Sequence, residues 1–431
     1  NQEGTRDMAA PLNLQKLKRA SDQLKRREIR DIVKLVAQVG QRWRNPSDPI
    51  RAIALESLPR EFGLSPQGLD WGLELIFGDW TEDQIWDLLI DQVGNPHLLD
   101  RFADRDELTR AHVRGPRVML QILAGTSPAS MAHAVLIGIL AKAGQILKAP
   151  SGQPTFLNLL RRTIQELDAE LAEAIAVGTW SERRRDLYQL MDEADTVVAY
   201  GTDTTIGELR PHCGPKTQFV GFGHAVSVAI VARQFASQSA AEQLAWDAMT
   251  YDQRGCLSPR AVFVEEGGSL SPRDFAELLA DRVMPEVAAK LPGGAPLPGE
   301  AEAVAQRRGV YGFKGLLFSG SDWTVTYDEH KIWPDEALPR FLTVKPFSTM
   351  DELVSMLKPA ANHLLCVGLG APEERWDEFC TMLAPSSVSR ICPLGVMQCP
   401  PLNWENDGRS PFRSIVRWCR VETPLAPAVV V

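Results

Sequence analysis

Apolar residues recur at helical spacing through Asn13–Val39, at Leu14, Leu17, Leu24, Ile29, Ile32, Val33 and Val36, with Arg and Lys between them. That period predicts an amphipathic helical stretch laid on a core. Asn45–Pro49 breaks the pattern. Helices are expected again at Ser65–Phe77 and at Glu82–Val93, the latter with Thr81 as N-cap and Gly94 as its stop. The first hundred residues or so therefore read as a packed helical layer.

From Arg114 the periodicity shortens. Val118–Leu123 is an apolar run that ends in Gly125-Thr126-Ser127-Pro128. A small-residue helix is expected at Ser130–Ala143, then a strand at Gln145–Lys148 and a helix at Pro154–Leu171. Strand Thr196–Tyr200, short helix Thr204–Leu209 and strand Phe219–Phe222 follow. After Gly223 the alternation resumes with strand Val226–Ala232, helix Ala240–Met249, strand Ala261–Glu265 and a long helix Ser271–Leu291. Leu291–Pro298 reads as an exposed loop. Phe341–Pro346, Met350–Leu357, Leu364–Gly368 and Pro372–Leu383 read strand, helix, strand, helix. Strands alternating with helices predict an α/β fold with mostly parallel sheets covered on both faces. The end, Thr423–Val431, reads as a tail whose Val429–Val431 either adds to a sheet edge or frays.

Composition narrows the function. A length of 431 residues predicts two or three domains, and 44% apolar with 23% charged residues excludes wholesale disorder. Lys and Arg total 46 against 55 Asp and Glu, a formal net charge of -9, so nonspecific nucleic-acid binding is not the expected role. The 7 cysteines include no C-x-x-C, and Cys392 and Cys399 have no second cluster with which to hold zinc, so no metal site is expected. Reduced thiols in a cytoplasmic protein are the simplest reading. Asn1–Ala10 lacks a signal-peptide pattern, and the apolar stretch Ala132–Leu147 is interrupted by Gly138, Lys142, Gly144 and Gln145, so no membrane span is expected.

One cysteine differs from the rest. Cys256 lies in Tyr251-Asp252-Gln253-Arg254-Gly255-Cys256-Leu257-Ser258-Pro259-Arg260, between an expected helix and an expected strand. Gly255 removes bulk beside the sulfur and Pro259 stiffens the exit. A thiol on a tight connection is open to substrate and still held by the scaffold. An unperturbed thiol has a pKa of about 8.5, so activation must come from local amide dipoles or from Arg254 or Arg260. A structural cysteine in a turn is the competing reading of the spacing alone.

Gln253-x-x-Cys256-Leu257-Ser258-Pro259-Arg260, followed by Val262-Phe263-Val264, resembles the nucleophile segment of the aldehyde dehydrogenase superfamily. The Cys-Leu-Ser-Pro form is most similar to acyl-CoA reductases of the LuxC type. The resemblance runs in order from about Arg114 to Arg409, where Ser386–Pro393 and Asn403–Arg409 look like the end of the catalytic domain. It implies an aldehyde-dehydrogenase-like fold. Gly144–Ser151 is similar to the strand in which a lysine, here Lys148, contacts the cofactor ribose. Ser151 stands where NAD-preferring relatives carry Glu, which implies room for the 2′-phosphate of NADPH, with NADH as the alternative. Val197–Gly207 resembles the strand–turn–helix at the cofactor pyrophosphate, with Gly201 and Thr202 at the turn. Glu336, in Asp335–Arg340, matches a carboxylate that binds the nicotinamide ribose, and Leu338 the ring position beneath it.

Two departures bear on the chemistry. Aldehyde-oxidising relatives carry a hydrolytic Glu near the place of Gly221, and this chain has none, which implies reduction. His224 stands beside that place and is the candidate proton donor. Thr126 replaces the Asn that helps form the oxyanion hole in relatives.

The resemblance thus implies a helical opening and cofactor domain over residues 1–225 and a catalytic domain over 226–425. The active site is expected between them, at carboxyl ends of strands. The implied reaction is NADPH-dependent reduction of an acyl-CoA or acyl carrier protein thioester to an aldehyde. An acyl-activating or carrier partner and homo-oligomerisation are compatible with it. The alternatives are an aldehyde-oxidising dehydrogenase and a catalytically silent acyl-binding scaffold.

Overall fold

The periodic stretch Asn13–Val39 forms two helices in the computed structural model, Leu14–Leu24 and Ile29–Arg44. They part at Lys25–Glu28, where no apolar residue continues the inner face, and the freed N–H of Ile29 donates to Asp100 at 2.8 Å. The structure describes residues 12–106, 109–125, 127–179, 184–334 and 338–422. Asn1–Ala10 and the tail Thr423–Val431 lie outside the described residues. Pro49 opens a helix, Pro49–Phe62, that the sequence reading passed over, and Pro66–Gly78 and Glu82–Val93 follow. Thr81 caps the last of these by accepting the Gln84 N–H at 3.3 Å.

The described residues gather into two units. One combines the helices before Ile50 with Asp79–Gly223 and the chain from Pro411; the other combines Arg51–Gly78 with His224–Ser410. Residues 51–78, read above as part of the opening layer, therefore join the unit that carries Cys256.

The first unit holds a five-stranded parallel sheet in the order Ile175–Gly178, Gly144–Lys148, Val118–Ile122, Thr196–Tyr200, Gln218–Phe222. Every residue of the central strand Val118–Ile122 is buried, as expected where both faces are covered. A smaller antiparallel sheet joins Ala103–Asp104, Thr109–Arg114 and Arg417–Glu422.

The second unit holds a seven-stranded sheet in the order Leu316–Ser319, Thr324–Tyr327, Phe341–Phe347, Pro259–Glu265, Val226–Val231, Leu364–Gly370, Arg390–Pro393. Its strands are parallel except for the outer Leu316–Ser319. Alternate residues of Val226–Val231 feed two cores. Ala229 and Val231 meet Leu244 and Phe275 on one face; Val228 and Ile230 meet Leu353 and Phe379 on the other. The expected helix Ser271–Leu291 is real but broken. Pro272–Leu278 and Met284–Lys290 flank a π-turn, Leu279–Val283, which accommodates Pro285 in the first turn after it. No helix of the described residues is long and apolar enough to cross a membrane.

Candidate active site

The segment that carries Cys256 begins where helix Gln238–Met249 stops and ends where strand Pro259–Glu265 starts. Between them the chain turns through three left-handed residues, Tyr251 (φ 56°), Asp252 (φ 52°) and Gln253 (φ 59°). None is glycine, and each such residue costs roughly 1–2 kcal/mol. Each side chain is anchored. The Tyr251 hydroxyl donates to the Gly72 carbonyl at 3.0 Å. Asp252 accepts from Arg340 at 2.9 Å and from the Gly294 N–H at 3.0 Å, and pairs with Arg254 at 3.2 Å. Gln253 donates to the carbonyls of Pro259 (2.7 Å) and Phe341 (3.0 Å) and accepts the Phe341 N–H at 2.6 Å. These buried bonds offset the strain and fix the path of the chain into the turn.

The turn itself is closed by the Ser258 N–H donating to the Gly255 carbonyl at 3.1 Å. Ser227 donates its hydroxyl to the Cys256 carbonyl at 2.6 Å, and Gln398 donates to the Ser258 hydroxyl at 3.1 Å and the Asp247 carbonyl at 2.9 Å. The Asp247 carboxylate accepts the N–H groups of Gly395 (2.6 Å) and Met397 (2.9 Å). Strand register shifts beside this point, between Ser227 and Ala229 and between Leu364 and Cys366. Such irregularities re-aim the chain where a site is built.

Cys256 is exposed to solvent, yet protein is dense around its sulfur. The first property lets a substrate reach the thiol; the second sets the cost of charging it. Burial pushes the thiol above its ordinary value, while its own N–H, the N–H of Leu257 and the Arg260 charge pull it down. Arg254, the other candidate activator, is spent elsewhere: it binds Glu300 at 2.6 Å and the Gly63 carbonyl at 2.9 Å.

The remaining candidates fall at strand ends. Lys148 closes Gly144–Lys148, Ser151 is exposed in the following turn, and Gly201 and Thr202 follow Thr196–Tyr200, all at the carboxyl edge of the five-stranded sheet. Burial lowers the Lys148 pKa, and among the described residues it makes no ion pair. Thr202 is the N-cap of Asp203–Leu209, accepting the Thr205 N–H at 3.2 Å. Cys256, by contrast, precedes strand Pro259–Glu265, and His224 precedes Val226–Val231. Cys256 thus stands at the amino edge of its sheet, which departs from the expectation of carboxyl ends for every candidate residue. His224 is exposed, and its carbonyl lies 3.2 Å from His363 Nδ1. Gly221 is buried within Gln218–Phe222; a Cβ there would stand 2.6 Å from Ile206 Cγ2, so this position has no room for a carboxylate. Thr126 and Glu336 lie outside the described residues. Leu338 packs with Tyr311 and Phe341.

The family model for acyl-CoA reductase (LuxC) matches residues 24–418. The chain belongs to that family. Within it, the chain is 24% identical over 408 residues to the long-chain acyl-protein thioester reductase of Aliivibrio fischeri, covering 92% of this chain and 83% of the relative. The fold is that of the aldehyde dehydrogenases. The putative aldehyde dehydrogenase PutA of Anabaena variabilis superposes with a TM-score of 0.68 at 15% identity, over 97% of this chain and 93% of that one. PnpE in complex with nicotinamide adenine dinucleotide gives a TM-score of 0.69 at 14% identity, over 96% and 90%.

For this LuxC-family chain, sequence reasoning missed the supports of the Cys256 turn. Ser227, Asp247, Arg340 and Gln398 are polar and buried at 0%, 1%, 5% and 9% exposure. Buried polar side chains at strand and helix ends carry a signal only once their neighbours are known. Gln253, with one bond to Pro259 and two to Phe341, was visible as part of the motif but not as an anchor.

Proposed function

We propose that this chain reduces an acyl thioester, carried on coenzyme A or on a carrier protein, to an aldehyde through an acyl group held on Cys256. The observation that carries the reading is an exposed thiol on an anchored turn, with two N–H groups and Arg260 favouring its thiolate. The Cys256 thiolate attacks the thioester carbonyl, and a C–S bond forms as the carbonyl oxygen takes the negative charge. The Cys256 and Leu257 N–H groups are the donors nearest that developing charge, with Thr126 as a further candidate. The carrier thiolate leaves and takes up a proton, for which His224 is the proposed donor, and Cys256 retains the acyl group as a thioester.

The residues at the carboxyl edge of the five-stranded sheet fit a nicotinamide cofactor. Gly201 carries no side chain of its own beside Thr205, Thr202 opens a helix, and Lys148 is a cation without a carboxylate partner among the described residues. Lys148, Gly201, Thr202 and Glu336 would hold it, and Ser151 leaves space for a 2′-phosphate, so NADPH is the proposed form. When bound, it supplies the hydride that reduces the acyl carbon. Cys256 then departs as thiolate from the reduced carbon, and the aldehyde is released. Gly221 supplies no carboxylate, so no base at that place activates water against the acyl group. We place the reaction in the cytoplasm, where the seven thiols stay free.

Incubation with an acyl thioester and NADPH, following nicotinamide absorbance and aldehyde together, tests the reading. Consumption of both in a one-to-one ratio with the aldehyde formed supports it. Aldehyde oxidation without thioester reduction would overturn it.

A further inference from the structure

The five-stranded sheet has a second edge. At the amino ends of Val118–Ile122 and Thr196–Tyr200 lies a cleft of about 350 Å³, whose lining includes Lys25, Arg114, Arg117, Asp195, Arg417 and Trp418. Four of those six side chains are cations. The carboxyl edge, with Lys148 and Gly201, is a five-residue strand away, about 16 Å at 3.3 Å per residue. The cleft is therefore separate from the residues proposed above for the cofactor.

The negative charges here are already engaged. Arg117 pairs with Asp22. Asp195 accepts the N–H groups of Arg117 (2.8 Å) and Val118 (2.9 Å). Lys25, Arg114 and Arg417 make no ion pair among the described residues; Arg114 donates to His112 Nδ1 at 3.3 Å and Arg417 to the Lys216 carbonyl at 3.4 Å. Strand pairing also sets Arg417 directly opposite Arg114. Like charges directly opposite one another on an antiparallel ladder are destabilising. Lys25 is half-buried among them. Burial lowers its pKa, with Arg117 and Arg114 acting the same way and Asp22 and Asp195 opposing. Asp22 and Asp195 offset part of this crowding from a distance, but none of the three cations has a carboxylate in ion-pair contact among the described residues, so an entering anion finds all three still to be paired.

We propose that this cleft binds a multivalent oxyanion of the phosphate or pyrophosphate type, held by Lys25, Arg114 and Arg417. Two guanidinium forks and an ammonium suit a tetrahedral oxyanion better than a single carboxylate. The cations converge on a small concave volume, at the low end of the roughly 300–1,000 Å³ typical of small-ligand sites, which favours a small molecule over a protein surface. The anion is either free or the phosphoryl end of a larger ester; Trp418, 37% exposed, lies beside the cations with Arg105 over its ring at 5.1 Å, so one face of that ring is left for such an ester.

The test is thermal unfolding of the full chain, with NADPH saturating, in sodium pyrophosphate against sodium chloride at matched ionic strength. Pyrophosphate should raise Tm beyond chloride. Lys25→Gln with Arg417→Gln should raise the half-saturating pyrophosphate concentration about tenfold or more. Thioester reduction without pyrophosphate should be unchanged. If the double variant does not fold, Arg114→Gln alone, at an exposed position, carries the same test. Equal affinity for pyrophosphate and ADP assigns the free anion, and tighter ADP binding assigns the ester. An equal Tm shift in wild type and variant, no shift beyond chloride, or competition between NADPH and pyrophosphate overturns the proposal.

Discussion

At Cys256, burial and local dipoles push in opposite directions, and burial is the larger of the two. The thiolate fraction should therefore still be rising at pH values where an unperturbed thiol, with a pKa of about 8.5, is half ionised. Alkylation of Cys256 by iodoacetamide, measured against pH, should show a midpoint on the alkaline side of that value. Arg260→Gln removes a nearby positive charge that favours the thiolate and should move the midpoint further up; an unchanged midpoint would remove Arg260 from the account. Cys256→Ala should lose acyl labelling and turnover, with its circular dichroism unchanged. In the unaltered chain, labelled acyl thioester given without NADPH should leave the label on Cys256 instead of releasing free acid. Cys256 stood out as a candidate because a Gln-x-x-Cys-Leu-Ser-Pro-Arg string between helix and strand is a local pattern. The partition of its two arginines was not legible: Arg254 turns to Glu300 and Asp252, which lie far along the chain or on the inner side of the turn.

The turn before Cys256 works as an element. Its left-handed run survives because partners from three other segments, at Gly72, Gly294 and Arg340–Phe341, hold it. Gln253→Ala strips three buried bonds and should cost about 3 kcal/mol in urea unfolding while lowering kcat more than it raises KM. Gly72→Ala places a methyl 2.5 Å from the Tyr251 ring and should cost about 1–3 kcal/mol through overpacking. Asp247, on the helix leading into the turn, is pushed from 3.8 up to about 7, chiefly by burial, with the Gly395 and Met397 N–H groups opposing. An acid whose folded pKa is raised stabilises most below its unfolded value and loses that contribution as pH climbs. The stability advantage of wild type over Asp247→Asn should hence shrink between about pH 4 and pH 7; a difference constant with pH would contradict it. Strands Thr196–Tyr200 and Phe341–Phe347 were readable within a residue because their apolar runs are continuous. Helix Glu300–Lys314 was not, since it buries only Tyr311 and offers no apolar stripe. Arg417–Glu422 was not either, being exposed throughout and defined by a partner strand over three hundred residues earlier.

At the scale of the molecule, alternation of strands and helices sufficed to read two parallel sheets, because burial on both faces dictates that texture. The proposed preference for NADPH also belongs here, since Ser151 lies in the turn that follows strand Gly144–Lys148 at a sheet edge. Ser151→Glu should move the ratio of kcat/KM for NADPH over NADH downward by about tenfold or more, as a carboxylate repels a 2′-phosphate. An unaltered ratio would take Ser151 out of the recognition of the ribose. What linear reading could not supply is the interleaving of the chain, in which Arg51–Gly78 belongs with His224–Ser410. That arrangement has a consequence for synthesis. Tyr251 is bonded to Gly72 across 179 positions, and a ribosome adding about 5–20 residues per second needs roughly 9–36 s to cover them. Helix Pro66–Gly78 must emerge and stay unclaimed for that time, its buried face Leu69, Leu73, Ile76 and Phe77 open to any holdase that recognises nascent apolar segments. A fragment starting at residue 224 should accordingly come out of translation insoluble, and recover when a peptide spanning 51–78 is supplied in trans.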